Sequence, residues 1–153
     1  MKKVISFILA VICIAPVGSI NASAEELTME SKKASDSIVY SAGLINECSL
    51  SISSSGTSIL LTAKTKGNYS MKSIGLKNIV IQCSTNGTDW KDYTSVDDLL
   101  DSSTTLFYTS NNNIASVPGG YYYRVTCNHY AKESGWFGSS ESISNTSNSV
   151  YVL

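Results

Sequence analysis

One alternating stretch, residues 119–130 (Gly-Gly-Tyr-Tyr-Tyr-Arg-Val-Thr-Cys-Asn-His-Tyr), constrains the fold more than any other part of the sequence. Successive side chains of a β-strand point to opposite faces, so Tyr123, Val125 and Cys127 share one face while polar side chains alternate with them. Aromatic and β-branched residues suit the pleated surface of a sheet. A Pro-Gly-Gly turn precedes the stretch. We therefore predict a strand around which the other elements pack.

The first 24 residues have the pattern of a secretory signal peptide. Lys2 and Lys3 precede an apolar run over residues 4–17, and a small-x-small cleavage motif ends at Ala24. The apolar run is shorter than the ~20 residues that a membrane span needs. We therefore expect cleavage after Ala24, no transmembrane anchor and a secreted, extracellular protein.

Composition and charge limit the class of partner. Residues 25–41 are polar and predict a flexible leader, which leaves residues 42–153 as one domain. Without the signal peptide's two lysines, nine Lys and Arg residues face twelve Asp and Glu residues, a net charge of −3, and no basic run occurs. Nucleic acid and polybasic attraction to anionic membranes are therefore not expected. We expect a monomer.

Short alternating runs separated by turn residues recur along the domain and predict strands. They lie at residues 48–53, 59–64, 78–84, 89–94, 104–108 and 150–153. Asn86-Gly87 favours a hairpin because both residues tolerate positive φ. Residues 95–100 predict a single helical turn, residues 111–113 a loop, and Trp90 with Val96 a cover for the edge of the core. The pattern predicts an all-β protein, a single antiparallel β-sandwich of about seven strands.

The three cysteines that remain after cleavage, Cys48, Cys83 and Cys127, do not form a metal-binding pattern. A zinc site needs paired spacing such as Cys-x-x-Cys, which the sequence lacks. Export permits disulfides, and an odd count allows at most one internal bridge. Cys127 and His129 share a strand face, but two ligands do not make a site, so both are predicted to lie in the core. No metal ion and no cofactor is expected.

The sequence contains little that suggests catalysis. Acyl transfer needs a base beside its nucleophile, and the single histidine, His129, lies on an apolar strand face. No nucleophile-elbow, metalloprotease or phosphate-binding motif occurs. Two carboxylates for glycoside hydrolysis can converge from distant positions, so a small secreted hydrolase stays an alternative. The acids considered for it, with a solvated turn residue as the plainer interpretation of each, are Asp89, Asp92, Asp97, Asp98 and Glu133.

A binding function is the better prediction, because loops at the ends of a β-sandwich often carry recognition. Trp136 and Phe137 lie between two glycines in a long loop, and Trp is a favoured residue at interfaces. The alternative is that Trp136 folds back over the end of the sandwich. Tyr122 and Tyr130 are second binding candidates, with cross-strand packing as their plainer interpretation. We expect a non-catalytic module that binds an unknown protein or glycan through end loops.

A third class of function is a secreted antimicrobial or toxin-like protein that acts at membranes. Small size, export and an apolar loop tip are compatible with membrane contact. The negative net charge argues against it, because such agents are usually cationic.

Residues 119–152 resemble the last two strands of a fibronectin type III or immunoglobulin-like domain, with Tyr121 at the tyrosine-corner position. Residues 79–90, which end in Ser-Thr-Asn-Gly-Thr-Asp-Trp, are similar to a strand-turn-Trp pattern of such bacterial domains. The resemblance also suggests a disulfide. Cys83 and Cys127 would both face the core on strands that are neighbours in an immunoglobulin-like sheet, so they are the expected pair if a bridge forms.

The sequence also resembles a family of small secreted proteins from clostridia-like Gram-positive bacteria that is described only as a domain of unknown function. The similar segments are Tyr-Ser-Ala-Gly-Leu-Ile (40–45), Leu-Lys-Asn-Ile (76–79), Tyr-Arg-Val-Thr-Cys (123–127) and Ser-Ile-Ser-Asn-Thr-Ser-Asn-Ser-Val (142–150). This resemblance implies export and a single β-domain, and it implies no activity.

Overall fold

Two antiparallel β-sheets face each other in the computed structural model, which describes residues 38–39 and 43–153. The strands are β1 (Ile38–Val39), β2 (Ile45–Ser55), β3 (Ser58–Met71), β4 (Ser73–Ser84), β5 (Lys91–Val96), β6 (Leu99–Asp101), β7 (Thr105–Ser116), β8 (Tyr121–Lys132), β9 (Ser140–Thr146) and β10 (Val150–Val152). The described ranges contain strands and turns but no helix, which confirms the all-β class. The predicted signal peptide, its cleavage site and most of the predicted leader lie outside the described residues.

The strand order differs between the two sheets. One sheet runs β1-β2-β3-β7, and the other has β8 and β4 at its centre. β9 and β10 follow each other along the outer side of β8, as β5 and β6 do along β4. When each of these two pairs is counted as one interrupted strand and the two-residue β1 is left out, seven principal strands remain. The predicted single antiparallel β-sandwich is therefore confirmed.

Burial along β8 alternates as its sequence predicts. Tyr123, Val125, Cys127, His129 and Ala131 are buried, while their neighbours are at least partly exposed. These inward side chains meet apolar residues of β2, β3 and β4 between the two sheets. His129 is fully buried, which confirms its predicted place in the core.

The predicted helical turn over residues 95–100 is wrong. Leu99 and Leu100 instead pair with Leu76 and Gly75 at the edge of β4. Pairing with β4 gives the backbone N–H and C=O groups of these residues hydrogen-bond partners. An isolated helical turn of this length would leave most of those groups without partners, so the strand pairing is the more stable arrangement.

Two boundaries also differ from the sequence prediction. The predicted loop over residues 111–113 belongs to β7, where it pairs with residues 60–62 of β3. Ile38–Val39, predicted as leader, pairs with Cys48 and Glu47 of β2, so the sheet begins before residue 42. In both places the backbone bonds to a neighbouring strand, and the local sequence contains no signal that predicts this pairing.

Two residue assignments are corrected by side-chain contacts. Tyr123, not Tyr121, forms the tyrosine corner, because its Oη donates to the Pro118 carbonyl oxygen at 2.8 Å. Trp90 does not cover the core edge. The Arg124 guanidinium lies over the Trp90 ring on the outer face of the sheet, with its Cζ atom 4.3 Å from the ring centroid.

The predicted Cys83–Cys127 disulfide is wrong. Cys83 lies opposite Tyr123 in the β4–β8 ladder, and Cys127 lies four residues further along β8. That step is about 13 Å, which is roughly twice the Cα separation that a disulfide spans. Cys48, Cys83 and Cys127 are all free thiols.

Candidate functional site

Trp136 and Phe137 form an exposed apolar tip on the β8–β9 loop. Each side chain is 94% exposed. Of the two arrangements left open by the sequence, the structure therefore has Trp136 pointing into solvent and not folded over the sandwich. We call this pair the tip.

The base of the loop is held by a small hydrogen-bonded frame around Glu133. Its backbone N–H donates to the Ser139 carbonyl oxygen at 3.0 Å, and Ser139 N–H returns a bond to Glu133 Oε2 at 3.0 Å. The Tyr69 hydroxyl donates to Glu133 Oε1. The bonds from Tyr69 and Ser139 lower the pKa of Glu133, and the bond to Glu133 raises the pKa of Tyr69. Hydrogen bonds therefore fix the base of the loop that carries the tip.

The two glycines that flank the tip have separate structural roles. Gly135 has φ of 113°, a conformation that residues with a Cβ rarely adopt. A Cβ on Gly138 would lie 2.6 Å from the Glu133 carbonyl oxygen, so the closing turn of the loop has room only for glycine. This local backbone path turns both aromatic side chains outward.

Other exposed apolar residues lie at the same end of the sandwich as the tip. We call the end of the sandwich where β3 and β8 end and β4, β7 and β9 begin the tip end. Tyr69 is 48% exposed and Phe107 is 52% exposed there, together with Leu100 and Leu106. Sequence reasoning missed these four residues, because they come from three strands whose convergence depends on the sheet topology.

The second pair of binding candidates does not join the tip. Tyr122 and Tyr130 are half-buried on the outer face of β8, about 26 Å apart along the strand. Tyr122 packs on Tyr151 with ring centroids 4.9 Å apart, and the Lys77 ammonium group lies 4.0 Å from the Tyr130 ring centroid. These contacts agree with the cross-strand packing that was the plainer interpretation.

His129 belongs to a satisfied, buried hydrogen-bond network. Thr65 Oγ1 donates to the Gly75 carbonyl oxygen at 3.2 Å, so it accepts from His129 Nδ1–H at 2.7 Å. His129 Nε2 then accepts from Asn145 Nδ2 at 3.4 Å. Burial lowers the pKa of His129 to about 4 and raises that of Cys127 to about 12. Both groups are therefore held neutral inside the sandwich.

The acids weighed for hydrolysis stabilise separate local structures. Asp89 accepts from Asn86 Nδ2 at 2.7 Å and Asp92 from Gln82 Nε2 at 2.8 Å, both near the β4–β5 hairpin. Asp98 accepts from the backbone of Asn78, Asp97 is exposed, and Glu133 lies at the tip end. Within residues 43–153, no group of three His, Cys, Asp or Glu side chains is placed to hold a metal ion.

Comparisons with protein-family models, with curated proteins and with solved structures found no match. Among the described residues, no helix is long and apolar enough to cross a membrane.

Proposed function

We propose that this protein is a secreted, non-catalytic binding module that contacts an extracellular protein or glycan with the tip. The observation that carries the proposal is the 94% exposure of both Trp136 and Phe137. Burying one such side chain contributes roughly 2–3 kcal/mol of favourable free energy. A partner that covers both side chains would therefore gain a large binding free energy. Export is supported by the signal-peptide pattern of residues 1–24.

The scaffold supports recognition by the tip. The frame around Glu133 fixes the base of the loop, so little ordering of the backbone is required on binding. Trp and Phe present wide, rigid faces that stack on sugar rings or fill apolar pockets of a protein. Tyr69 and Phe107, exposed at the same end of the sandwich, add apolar surface that a partner could contact.

The accessibility of the tip can be checked by fluorescence. The chain has two tryptophans, so a Trp90→Phe variant reports on Trp136 alone. Its emission should be red-shifted and strongly quenched by iodide, because the indole is in water. Blue-shifted, unquenched emission would mean that Trp136 is covered and would remove the basis of the proposal.

The proposed function is tested by a glycan array and by pull-down from culture medium. A Trp136→Ala/Phe137→Ala variant should lose about tenfold or more in affinity for any ligand that the wild type retains. The control is Tyr93→Ala, which removes an exposed aromatic side chain outside the tip end and should leave binding unchanged. Equal binding by the tip variant and the wild type would contradict the proposal.

Membrane contact is the second candidate function, because exposed aromatic side chains also insert at lipid–water interfaces. Leakage from dye-loaded vesicles separates the two. If the protein acts on membranes, the wild type releases dye and Trp136→Ala does not. Absence of leakage with both proteins would eliminate this candidate and leave the binding module.

A further inference from the structure

Three of the four sheet edges are interrupted or covered. Unpaired edge strands can pair with other chains, and natural proteins block them with breaks, bulges, charges or covering segments. The edge formed by β5 and β6 is interrupted at residues 97–98, and the edge formed by β9 and β10 is interrupted at residues 147–149.

The edge of β2 is covered at several points. β1 pairs with Glu47 and Cys48. Further along, the side chain of Asn148 bonds both backbone groups of Ile52, accepting from N–H and donating to C=O at 2.9 Å each. An amide side chain there occupies the place of a neighbouring strand.

The fourth edge, β7, is open. Within the described residues β7 pairs with β3 alone. The β2–β3 turn has two residues, so the backbone N–H and C=O of Ser58 bond to β2. The backbone groups of successive residues in β3 point alternately to β2 and to β7. Those of Ala63 therefore point to β7 and bond to its neighbour there, Ser110. The N–H and C=O groups of Thr109 and Asn111 therefore point away from the sheet.

The open part of β7 has defined limits. At one end, Thr105 Oγ1 donates to the Phe107 carbonyl oxygen at 3.2 Å and so covers that residue's outward group. At the other end, the register with β3 shifts between Asn113 and Ala115, which is a bulge. About six residues between these points, 108–113, form a regular edge.

Charge does not protect this edge. No Asp, Glu, Lys or Arg occurs from residue 102 to residue 123. The side chains of Thr109 and Asn111 are exposed and uncharged. Like charges placed opposite each other destabilise a strand pair, so a charged edge resists pairing with its own copy whereas a neutral edge does not.

We propose that β7 pairs antiparallel with β7 of a second copy of this chain, about a two-fold axis at Ser110. Thr109 then lies opposite Asn111 of the other copy, and both have outward-pointing backbone groups. The two symmetry-related pairs supply about four backbone hydrogen bonds. The contact uses the same surface on both copies, as a closed dimer requires.

This arrangement replaces the monomer expected from the sequence, which placed residues 111–113 in a loop. It does not depend on the proposed binding function. Because the two β7 strands run in opposite directions, the two tip ends point to opposite ends of the dimer and stay exposed.

Sedimentation of the purified protein over a concentration series from micromolar to millimolar tests the proposal. The wild type should shift from one chain mass to two. Thr109→Lys/Asn111→Lys puts Lys opposite Lys and should weaken dimerisation by more than about tenfold. Thr109→Lys/Asn111→Glu, changed at the same positions, puts Lys opposite Glu and should keep the dimer. Thermal melting of each variant checks that the exposed substitutions leave the monomer folded.

Two results would overturn the proposal. One is a wild type that stays monomeric throughout the series. The other is a Lys/Lys variant that dimerises as tightly as the wild type, which would place the contact elsewhere. A Trp136→Ala/Phe137→Ala variant separates this inference from the function of the tip: it should dimerise normally, and loss of the dimer in that variant would assign the contact to the tip instead.

Discussion

The two tyrosines at the start of β8 differ in role although they are only two positions apart. Tyr123 is 1% exposed and closes the corner between β7 and β8 through its bond to Pro118, whereas Tyr121 is 38% exposed. Burial raises the pKa of Tyr123 to about 12. Alternation alone places both side chains on one face. Tyr121 is the first residue of β8 and lies at the end of the sandwich, so only Tyr123 is covered by the opposite sheet.

Tyr123→Phe should lower the free energy of unfolding by about 1 kcal/mol, because the buried Tyr123 side chain loses its hydrogen bond to the Pro118 carbonyl oxygen. The control is Tyr121→Phe, which removes an exposed hydroxyl and should change stability by less than about 0.5 kcal/mol. Urea unfolding of both variants measures the difference. Equal effects would contradict the assignment of the corner to Tyr123.

His129 makes stability depend on pH. Its pKa is about 4 in the folded protein, lowered by burial from an ordinary value of 6.5. Between these values the unfolded chain binds the proton and the folded one does not. The free energy of unfolding should therefore fall as pH falls from 6.5 toward 4, by roughly 3 kcal/mol in all. The facing groups, Thr65 on β3 and Asn145 on β9, are neutral and do not compensate the charge.

Urea unfolding at pH 7.5, 6.5 and 5.5 checks this slope above the range where most carboxylates titrate. His129 is the only histidine, so His129→Gln should remove the slope, although the variant itself is less stable at neutral pH. A slope that persists in His129→Gln would mean that another group is responsible.

At the scale of elements, the pairing of β5 and β6 with β4 depends on two backbone positions in β4. Asn78 has φ of 51°, and Asp98 Oδ1 accepts its N–H at 3.0 Å where the β4–β8 register shifts. Gly75 has φ of 152°, and β6 passes so close that a Cβ there would overlap the Leu99 carbonyl oxygen. Strand pairing and close approach together require these residues.

Gly75→Ala should destabilise the protein by more than about 2 kcal/mol, because both the backbone conformation and the contact with Leu99 must change. Gly56→Ala is the control. Gly56 also has positive φ, 57°, but no atom lies within 4 Å of the place that a Cβ would take there, so only about 1 kcal/mol of backbone strain is expected. Thermal or urea unfolding compares the two, and similar losses would show that β6 does not press on Gly75.

At the scale of the whole molecule, the two sheets are held by packing and hydrogen bonds without a covalent link between them. The three thiols within the described residues are free, and two of them, Cys48 and Cys127, are buried among apolar side chains. Burial raises the pKa of both thiols, which keeps them protonated and unreactive.

A reducing agent should therefore leave the melting temperature unchanged. Alkylation of the denatured protein without residues 1–24, which contain Cys13, should modify three thiols with or without prior reduction, while in the native protein Cys83, which is half-buried, should react first. A melting temperature that falls on reduction, or a thiol count that rises, would reveal a bridge and contradict the free-thiol assignment.

The sequence predicted the fold well wherever a pattern of period two ran long enough. The alternation in β8 and the Asn86-Gly87 turn are local signals, and both predict elements that the structure contains. Prediction failed at residues 95–100 and 111–113, where the backbone bonds to strands distant in sequence. The tip was identified as a candidate from its glycines and aromatics, but its exposure was left open.

By itself, the sequence of residues 119–130 determined that β8 is a half-buried strand with Cys127 and His129 inward, because side-chain direction follows from position along the strand. The tertiary structure alone decided that Tyr123 forms the corner, that Cys83 and Cys127 lie too far apart to bridge, that Trp136 is exposed and that β7 is an open edge. Each of these depends on register or on which strand is a neighbour, and contacts between distant segments set both.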